Sequence, residues 1–206
     1  MNATAGTVFL VDDEPGMLKA LKRLLEAEGF TVRAFTSAKS FLESYQPEDL
    51  SCLVLDVAMP ELDGLELQHR LTQSGVLLPI VFLTGHGDIP MSVRAIRAGA
   101  LDFLTKPVKD VDLLLAVRAA LQRAAEQRES IAETALLRQR FSSLTPRERE
   151  VMAHVVAGEL NKQVADALGI GEHTVKVHRA RVMEKMGVKS LADLVRDAQR
   201  LEPWNP

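Results

Sequence analysis

The sequence predicts two domains of different class: an α/β, doubly wound parallel five-stranded domain, then an all-α domain of four short helices, joined by a long helical linker. Three observations carry this. Five short apolar runs alternate with helical patterns through the first 121 residues, no strand pattern follows Ser142, and the intervening stretch 111–141 contains neither Pro nor Gly. The expected ranges are 1–121 for the first domain, 122–143 for the linker and 144–206 for the second domain.

The elements follow in order. Residues 7–11 form a β-type apolar run that ends at Asp12-Asp13-Glu14, and Pro15-Gly16 break it. Leu18, Leu21, Leu24 and Leu25 then recur at helical spacing up to Gly29. The same alternation returns as a strand at 31–35 with a helix near 38–45, and a strand at 52–57 with a helix near 65–72. A strand at 79–83 with a helix near 91–98, and a strand at 101–104 with a helix from about residue 111, complete the series. Consecutive strand-helix units of this length build a parallel sheet with right-handed crossovers. The fifth helix is expected to run on through the Ala-, Leu-, Glu- and Arg-rich stretch as a stiff connector, the alternative being a helix that stops near Gln122 and a polar tether beyond it.

In the back third, Thr145-Pro146-Arg147-Glu148 places a Thr cap, a Pro at the first helical position and a Glu three residues after the cap, so a helix should span 146–157 before Gly158. Helices at 161–168, 172–186 and 190–201 are read the same way, with Gly169 and Gly187 as stops. Helix, short Gly-containing turn, helix is a helix-turn-helix outline.

Composition narrows the setting. The formal net charge is −3, with an acidic excess over 1–121 and near balance over 144–206, so the two parts should meet different partners. The single cysteine, Cys52, lies inside an apolar strand and is expected to be a buried inert thiol. No apolar run approaches the ~20 residues of a membrane span and no signal-peptide pattern opens the chain, so a soluble cytoplasmic protein with no membrane contact is expected.

The chemistry gathers around Asp56, the one ionisable residue at the carboxyl end of an otherwise apolar strand. In a flavodoxin-like sheet ordered 2-1-3-4-5 the first and third strands meet at the switch point, so Asp12, Asp13, Asp56, Thr84 and Lys106 can converge on one crevice. Like charges crowded together call for a hard divalent cation such as Mg2+. A neutralised Asp56 carboxylate can then attack phosphorus, with the Thr84 hydroxyl and Lys106 ammonium meeting the new phosphoryl oxygens. Taken singly, Asp12 and Asp13 could be turn or cap residues, Lys106 a solvated strand end and Phe103 a core aromatic.

The Asp12-Asp13 pair, Val-Leu-Asp-Val-Ala-Met-Pro around Asp56, Leu-Thr-Gly around Thr84 and Phe-Leu-Thr-Lys-Pro ending at Pro107 resemble the receiver domain of two-component response regulators. The resemblance implies that Asp56 accepts a phosphoryl group from a sensor histidine kinase. It implies that Asp13, Asp56 and the Ala58 carbonyl bind Mg2+ with help from Asp12, and that Lys106-Pro107 is cis. It further implies that Thr84 and Phe103 switch, that a surface over about 91–120 dimerises on phosphorylation, and that the only catalysis is slow self-phosphorylation and self-dephosphorylation.

In the third helix of the back domain, Val175, Val182 and Met186 should face the core, and Val177, about 200° further round than Val175, should face out beside Lys176. Lys176 and Val177 suit guanine acceptors and a thymine methyl. Arg179, Arg181, Lys185 and Lys189 add charge, and Lys162, Thr174 and His178 could hold phosphates. Such a helix can equally be a solvated face, and composition does not decide. Leu-Thr-Pro-Arg-Glu-Arg-Glu-Val from Leu144, Asn161-Lys162, and Thr174-Val175-Lys176-Val177-His178 resemble the LuxR-type helix-turn-helix of FixJ and NarL response regulators. That implies double-stranded promoter DNA and RNA polymerase as partners and dimerisation on DNA through the last helix. Ala180 departs from relatives that carry a base-reading Lys there. A phosphotransferase of the haloacid dehalogenase type would need Asp-x-Asp after one strand, but residue 58 is Ala. A regulator acting by protein contacts alone is the third reading.

Overall fold

The computed structural model describes residues 6–47, 50–85 and 89–201, and clusters them into two units that divide between Arg128 and Glu129. In the first unit β1 (Thr7–Val11), β2 (Thr31–Phe35), β3 (Ser51–Leu55), β4 (Ile80–Thr84) and β5 (Asp102–Thr105) form one parallel sheet ordered β2-β1-β3-β4-β5. The central strands β1, β3 and β4 are buried along their whole length, which is why they read as unbroken apolar runs.

Helices α1 (Pro15–Ala27), α2 (Ala38–Ser44), α3 (Gly64–Gln73), α4 (Ile89–Arg97) and α5 (Asp110–Ser142) alternate with the strands. Successive side chains of β1 serve opposite faces. Val8 and Leu10 pack with Leu18, Leu21 and Leu25 of α1 and Leu113 and Val117 of α5. Phe9 and Val11 pack with Phe41 of α2, Leu67 and Leu71 of α3 and Ala95 of α4. The sheet is therefore doubly wound, and Cys52 is buried in its centre, where desolvation pushes the thiol up to about 12.

α5 is one helix of 33 residues, so no tether begins after Gln122. The far end of the expected linker is nonetheless not free of the second unit: Leu137 is buried in that unit's core and Phe141 packs against it. Arg140 donates to the Met186 carbonyl at 3.1 Å, and Arg200 pairs with Glu133 at 2.8 Å. The apolar spacing of Leu137 and Phe141, one helical turn apart, accounts for this.

In the second unit come α6 (Pro146–Val156), α7 (Asn161–Leu168), α8 (Glu172–Met186) and α9 (Leu191–Arg200). Thr145 Oγ1 accepts from the Glu148 amide at 3.3 Å, and Glu148 Oε2 accepts from the Thr145 amide at 2.8 Å, the reciprocal cap expected for α6. Gly169, at φ 66°, takes the left-handed turn that closes α7 ahead of α8.

Candidate functional site

The parallel sheet brings its carboxyl ends to one edge. Asp12 follows β1, Asp56 follows β3, Thr84 ends β4 and Lys106 follows β5. The backbone fixes the rim: the Asp56 amide donates to the Val11 carbonyl at 2.8 Å, and the Lys106 amide donates to the Thr84 carbonyl at 2.7 Å. Lys106-Pro107 is cis. Asp12, Asp56 and Thr84 are buried, whereas Asp13 is exposed.

Lys106 reaches back across this edge. Its Nζ donates to Asp12 Oδ2 at 2.6 Å and Asp56 Oδ2 at 2.7 Å, and lies 3.5 Å from Glu14 Oε1. Burial alone would lower the ammonium's pKa, but the hydrogen bonds it donates to Asp12 and Asp56 outweigh it and the net shift is upward. Asp12 is raised, because desolvation exceeds what Lys106 and the Glu14 amide return. Oxygens of Asp12, Asp13 and Asp56 lie within 4.8 Å of one another. Asp12, Asp13 and Asp56 outnumber the ammonium that reaches into the crevice, an excess of negative charge that a divalent cation would offset. The donor set, all oxygen, fits Mg2+. Asp56 Oδ1 also accepts from the Ala58 amide at 3.1 Å, so the carboxylate is held from both sides.

The second unit presents α8. Val175, Val182 and Met186 are buried in its core while Thr174, Lys176, Val177 and Arg181 are exposed, as the helical spacing requires. Lys162 is exposed at the start of α7. Arg179 and His178 are half-buried, and Arg179 donates to Asn161 Oδ1 at 3.2 Å, tying α8 to α7. Lys185 is not part of the exposed charge: it donates to Glu148 Oε2 at 2.6 Å and the Ser143 carbonyl at 3.2 Å, where it neutralises a carboxylate that the α6 cap buries. On α9, Leu194 and Ala198 belong to the core and Leu191 is left open.

A family model described as the response regulator receiver domain matches residues 8–118, and one described as bacterial regulatory proteins, luxR family, matches residues 142–198. The chain is a LuxR-type response regulator. It is 46% identical over 202 residues to response regulator protein TmoT of Ectopseudomonas mendocina, covering 98% of this chain and 92% of that one. It is 48% identical over 199 residues to nodulation protein W of Bradyrhizobium diazoefficiens, covering 97% and 88%. A solved structure of the response regulator StyR superimposes with a TM-score of 0.83 at 48% identity, covering 96% of this chain and 100% of that chain. Full-length FixJ from B. japonicum gives 0.60 at 40% identity, covering 98% and 100%. A receiver domain implies a kinase that supplies it, and a LuxR-type domain implies DNA. Among the described residues no helix of this response regulator is long and apolar enough to cross a membrane.

Two residues of the response regulator that follow Asp56 in the chain escaped sequence reasoning. A Cβ on Gly64 would stand 2.3 Å from the Asp56 carbonyl oxygen, so only glycine lets α3 begin against the β3 end. Glu61 takes φ 65°, a left-handed conformation costly for a residue with a side chain. Asp63 caps α3 by accepting from the Glu66 amide at 2.7 Å. The Asp63-Gly64 pair was the available signal, a cap followed by the one residue with no Cβ.

Proposed function

We propose that Asp56 is the phosphoacceptor of this regulator, receiving its phosphoryl group from a sensor histidine kinase. The observation that supports this most is Lys106 Nζ held between Asp12 and Asp56. In the transfer an Asp56 carboxylate oxygen forms the new P–O bond as the bond from phosphorus to the donor breaks, and the leaving group keeps the electron pair. Asp12, Asp13, Asp56 and the Ala58 carbonyl would hold Mg2+. The ion would supply charge neutralisation for the acyl phosphate. Lys106 orients the carboxylate beforehand and meets a phosphoryl oxygen afterwards. The same groups give slow self-phosphorylation and self-dephosphorylation.

Switching a domain from mostly off to mostly on takes ~5.5 kcal/mol. A charge-assisted hydrogen bond gained only in the phosphorylated state contributes roughly 1.5–3 kcal/mol. Thr84 and Lys106 are both already engaged in the unphosphorylated form, Lys106 with two carboxylates, so each contributes only a difference. The remainder comes from what the switched form binds, a second copy and DNA. Phe103, half-buried 6.0 Å from Phe82 between ring centroids, turns inward as Thr84 moves. Exposed Val93, Ile96, Val111 and Leu115 on α4 and α5 suit the surface of a phosphorylation-dependent homodimer within 91–120.

The output is transcriptional. Lys176 and Val177 read bases, Lys162, Thr174, His178, Arg179 and Arg181 hold phosphates, and the bound dimer acts on RNA polymerase in the cytoplasm. The working division is 1–121 as receiver, 122–143 as connecting helix and 144–206 as DNA-binding domain. Gel shifts with genomic fragments, using wild type and Asp56→Asn with and without acetyl phosphate, test the whole sequence of events. Tighter binding by phosphorylated wild type alone is expected; no shift with any fragment would leave a regulator working through protein contacts.

A further inference from the structure

The Lys106 ammonium has three N–H donors, and three carboxylates come within reach of it. Two belong to the buried Asp12 and Asp56, at 2.6 and 2.7 Å; the third is Glu14, whose Oε1 lies 3.5 Å from Nζ. Glu14 differs from the other two. Its side chain is 65% exposed while that of Lys106 is 9% exposed, so it stands on the solvent side of the ammonium. It is also outside the group of Asp12, Asp13 and Asp56, whose oxygens lie within 4.8 Å of one another, so holding a cation does not call for it.

Nor does the side chain serve α1. Glu14 is the N-cap residue of that helix, yet its side chain makes no capping hydrogen bond, and glutamate is not among the residues favoured there. Its amide donates to Asp12 Oδ1 at 2.8 Å, a tight turn that keeps the residue beside Lys106. An exposed ion pair at 3.5 Å adds little to stability, so Lys106 does not need it either. What Glu14 does add is a further negative charge at the entrance to a crevice whose reagent is itself an anion.

We infer that Glu14 is a specificity-determining residue for phosphorylation at Asp56, a fixed charge that turns away free anionic phosphodonors. The inference rests on Asp56 as the phosphoacceptor. A phosphoryl oxygen accepting from Lys106 Nζ lies no more than ~6 Å from Glu14 Oε1, 3.5 Å plus the length of one hydrogen bond. In a water-like dielectric, repulsion at that separation slows a singly negative donor roughly 3-fold and a doubly negative one roughly 10-fold. A phosphohistidine brought by a docked kinase meets the same charge, but contacts remote from phosphorus offset it. A small donor has none.

The test measures second-order phosphorylation rates of the full-length chain at pH 7 and saturating Mg2+, for wild type, Glu14→Gln and Glu14→Asp, with acetyl phosphate and phosphoramidate. Acetyl phosphate is doubly negative and leaves as acetate; phosphoramidate, protonated on nitrogen, is singly negative overall and leaves as ammonia. In both, the Asp56 oxygen takes over the bond to phosphorus and the leaving group keeps the electron pair. Glu14→Gln keeps an acceptor for Lys106 and removes only the charge. It should speed acetyl phosphate roughly 10-fold and phosphoramidate roughly 3-fold at low salt, with both gains nearly gone at 1 M salt, where the Debye length is about 3 Å. Glu14→Asp should stay within roughly 2-fold of wild type, since it keeps the charge. A structural role would change both donors alike, so the ratio of the two gains separates charge from structure. The urea midpoint of Glu14→Gln without Mg2+ should match wild type; a clear fall would make Glu14 a structural partner of Lys106 and overturn the inference. Equal gains, no gain, or gains that salt does not remove would overturn it and leave Asp56 as the acceptor. No incorporation by wild type from either donor would overturn the phosphoacceptor reading itself, and the inference with it.

Discussion

Lys106→Met removes the one ammonium from a crevice of three carboxylates. Lys106 Nζ makes hydrogen bonds of 2.6 and 2.7 Å to Asp12 and Asp56, and its side chain is 9% exposed. Breaking a buried pair by deleting one partner costs roughly 3–5 kcal/mol, because the other charge stays in place without its counterion. Asp12 softens this. Burial already raises its pKa, Lys106 is the chief group pulling it back, and without the lysine Asp12 holds its proton more tightly. A carboxyl whose folded pKa lies above its unfolded value takes up its proton in the folded state first, so the stability it withholds at neutral pH returns as pH falls. The loss should therefore be roughly 3 kcal/mol at pH 8 without Mg2+ and clearly smaller at pH 5. Native-state hydrogen exchange resolves it by strand: amides of β1 and β3 should exchange roughly 100-fold faster at pH 8, since each 1.4 kcal/mol is tenfold. Amides of α6 and α8 serve as the internal reference. Unchanged exchange in β1 and β3 at pH 8 would refute the coupling of Lys106 to the two carboxylates, and a penalty that grew towards pH 5 would refute the role given to Asp12.

Gly64→Ala should cost roughly 2–3 kcal/mol, as overpacking against rigid backbone does, and slow phosphorylation by displacing the Asp56 carbonyl; urea unfolding and phosphodonor kinetics read the two effects. Lys185→Met should destabilise the second unit by roughly 2 kcal/mol at neutral pH, since Glu148 is 2% exposed and loses its ammonium partner. Burial works to raise the Glu148 pKa, but Lys185 and the Thr145 cap prevail and lower it. Its stabilisation is thus complete above the ordinary carboxylate pKa and is lost as pH falls through the lowered one, so thermal melts of wild type should fall off in acid more steeply than those of Lys185→Met. Lys162→Ala should weaken DNA binding evenly across sequences and flatten the slope of log affinity against log salt by about 1. Val177→Ala should instead weaken binding only to sites with a thymine at the contacted step, read by fluorescence anisotropy.

The fold was legible because its periodicities are clean. Val8, Leu10, Leu53 and Val81 lie in strands buried on both faces, so their runs carry no polar interruption, and the alternation with leucine-rich helices points to a doubly wound parallel sheet. The acid site was legible because charge at the end of an apolar strand needs a reason. What escaped was set by neighbours distant in sequence. Lys185 looks like one more cation on a basic helix until Glu148, on another helix, is seen buried against it. The side-chain oxygens of Gln68 and Gln127 lie on different helices, and nothing in either local sequence marks them as buried. Leu137 and Phe141 sit in a helix whose composition suits a spacer, yet Leu137 buries in the second unit's core and Phe141 packs against it, because a spacer and a packed helix share the same high-propensity residues.

Intact mass followed by peptide mapping, on wild type and Asp56→Asn treated with acetyl phosphate and Mg2+, tests the Asp56 chemistry most directly. Wild type should gain one phosphoryl group, lost in hydroxylamine as an acyl phosphate is, on the peptide holding Asp56, and Asp56→Asn should gain none. A phosphoryl group on any other residue of wild type, or equal uptake by Asp56→Asn, would contradict it.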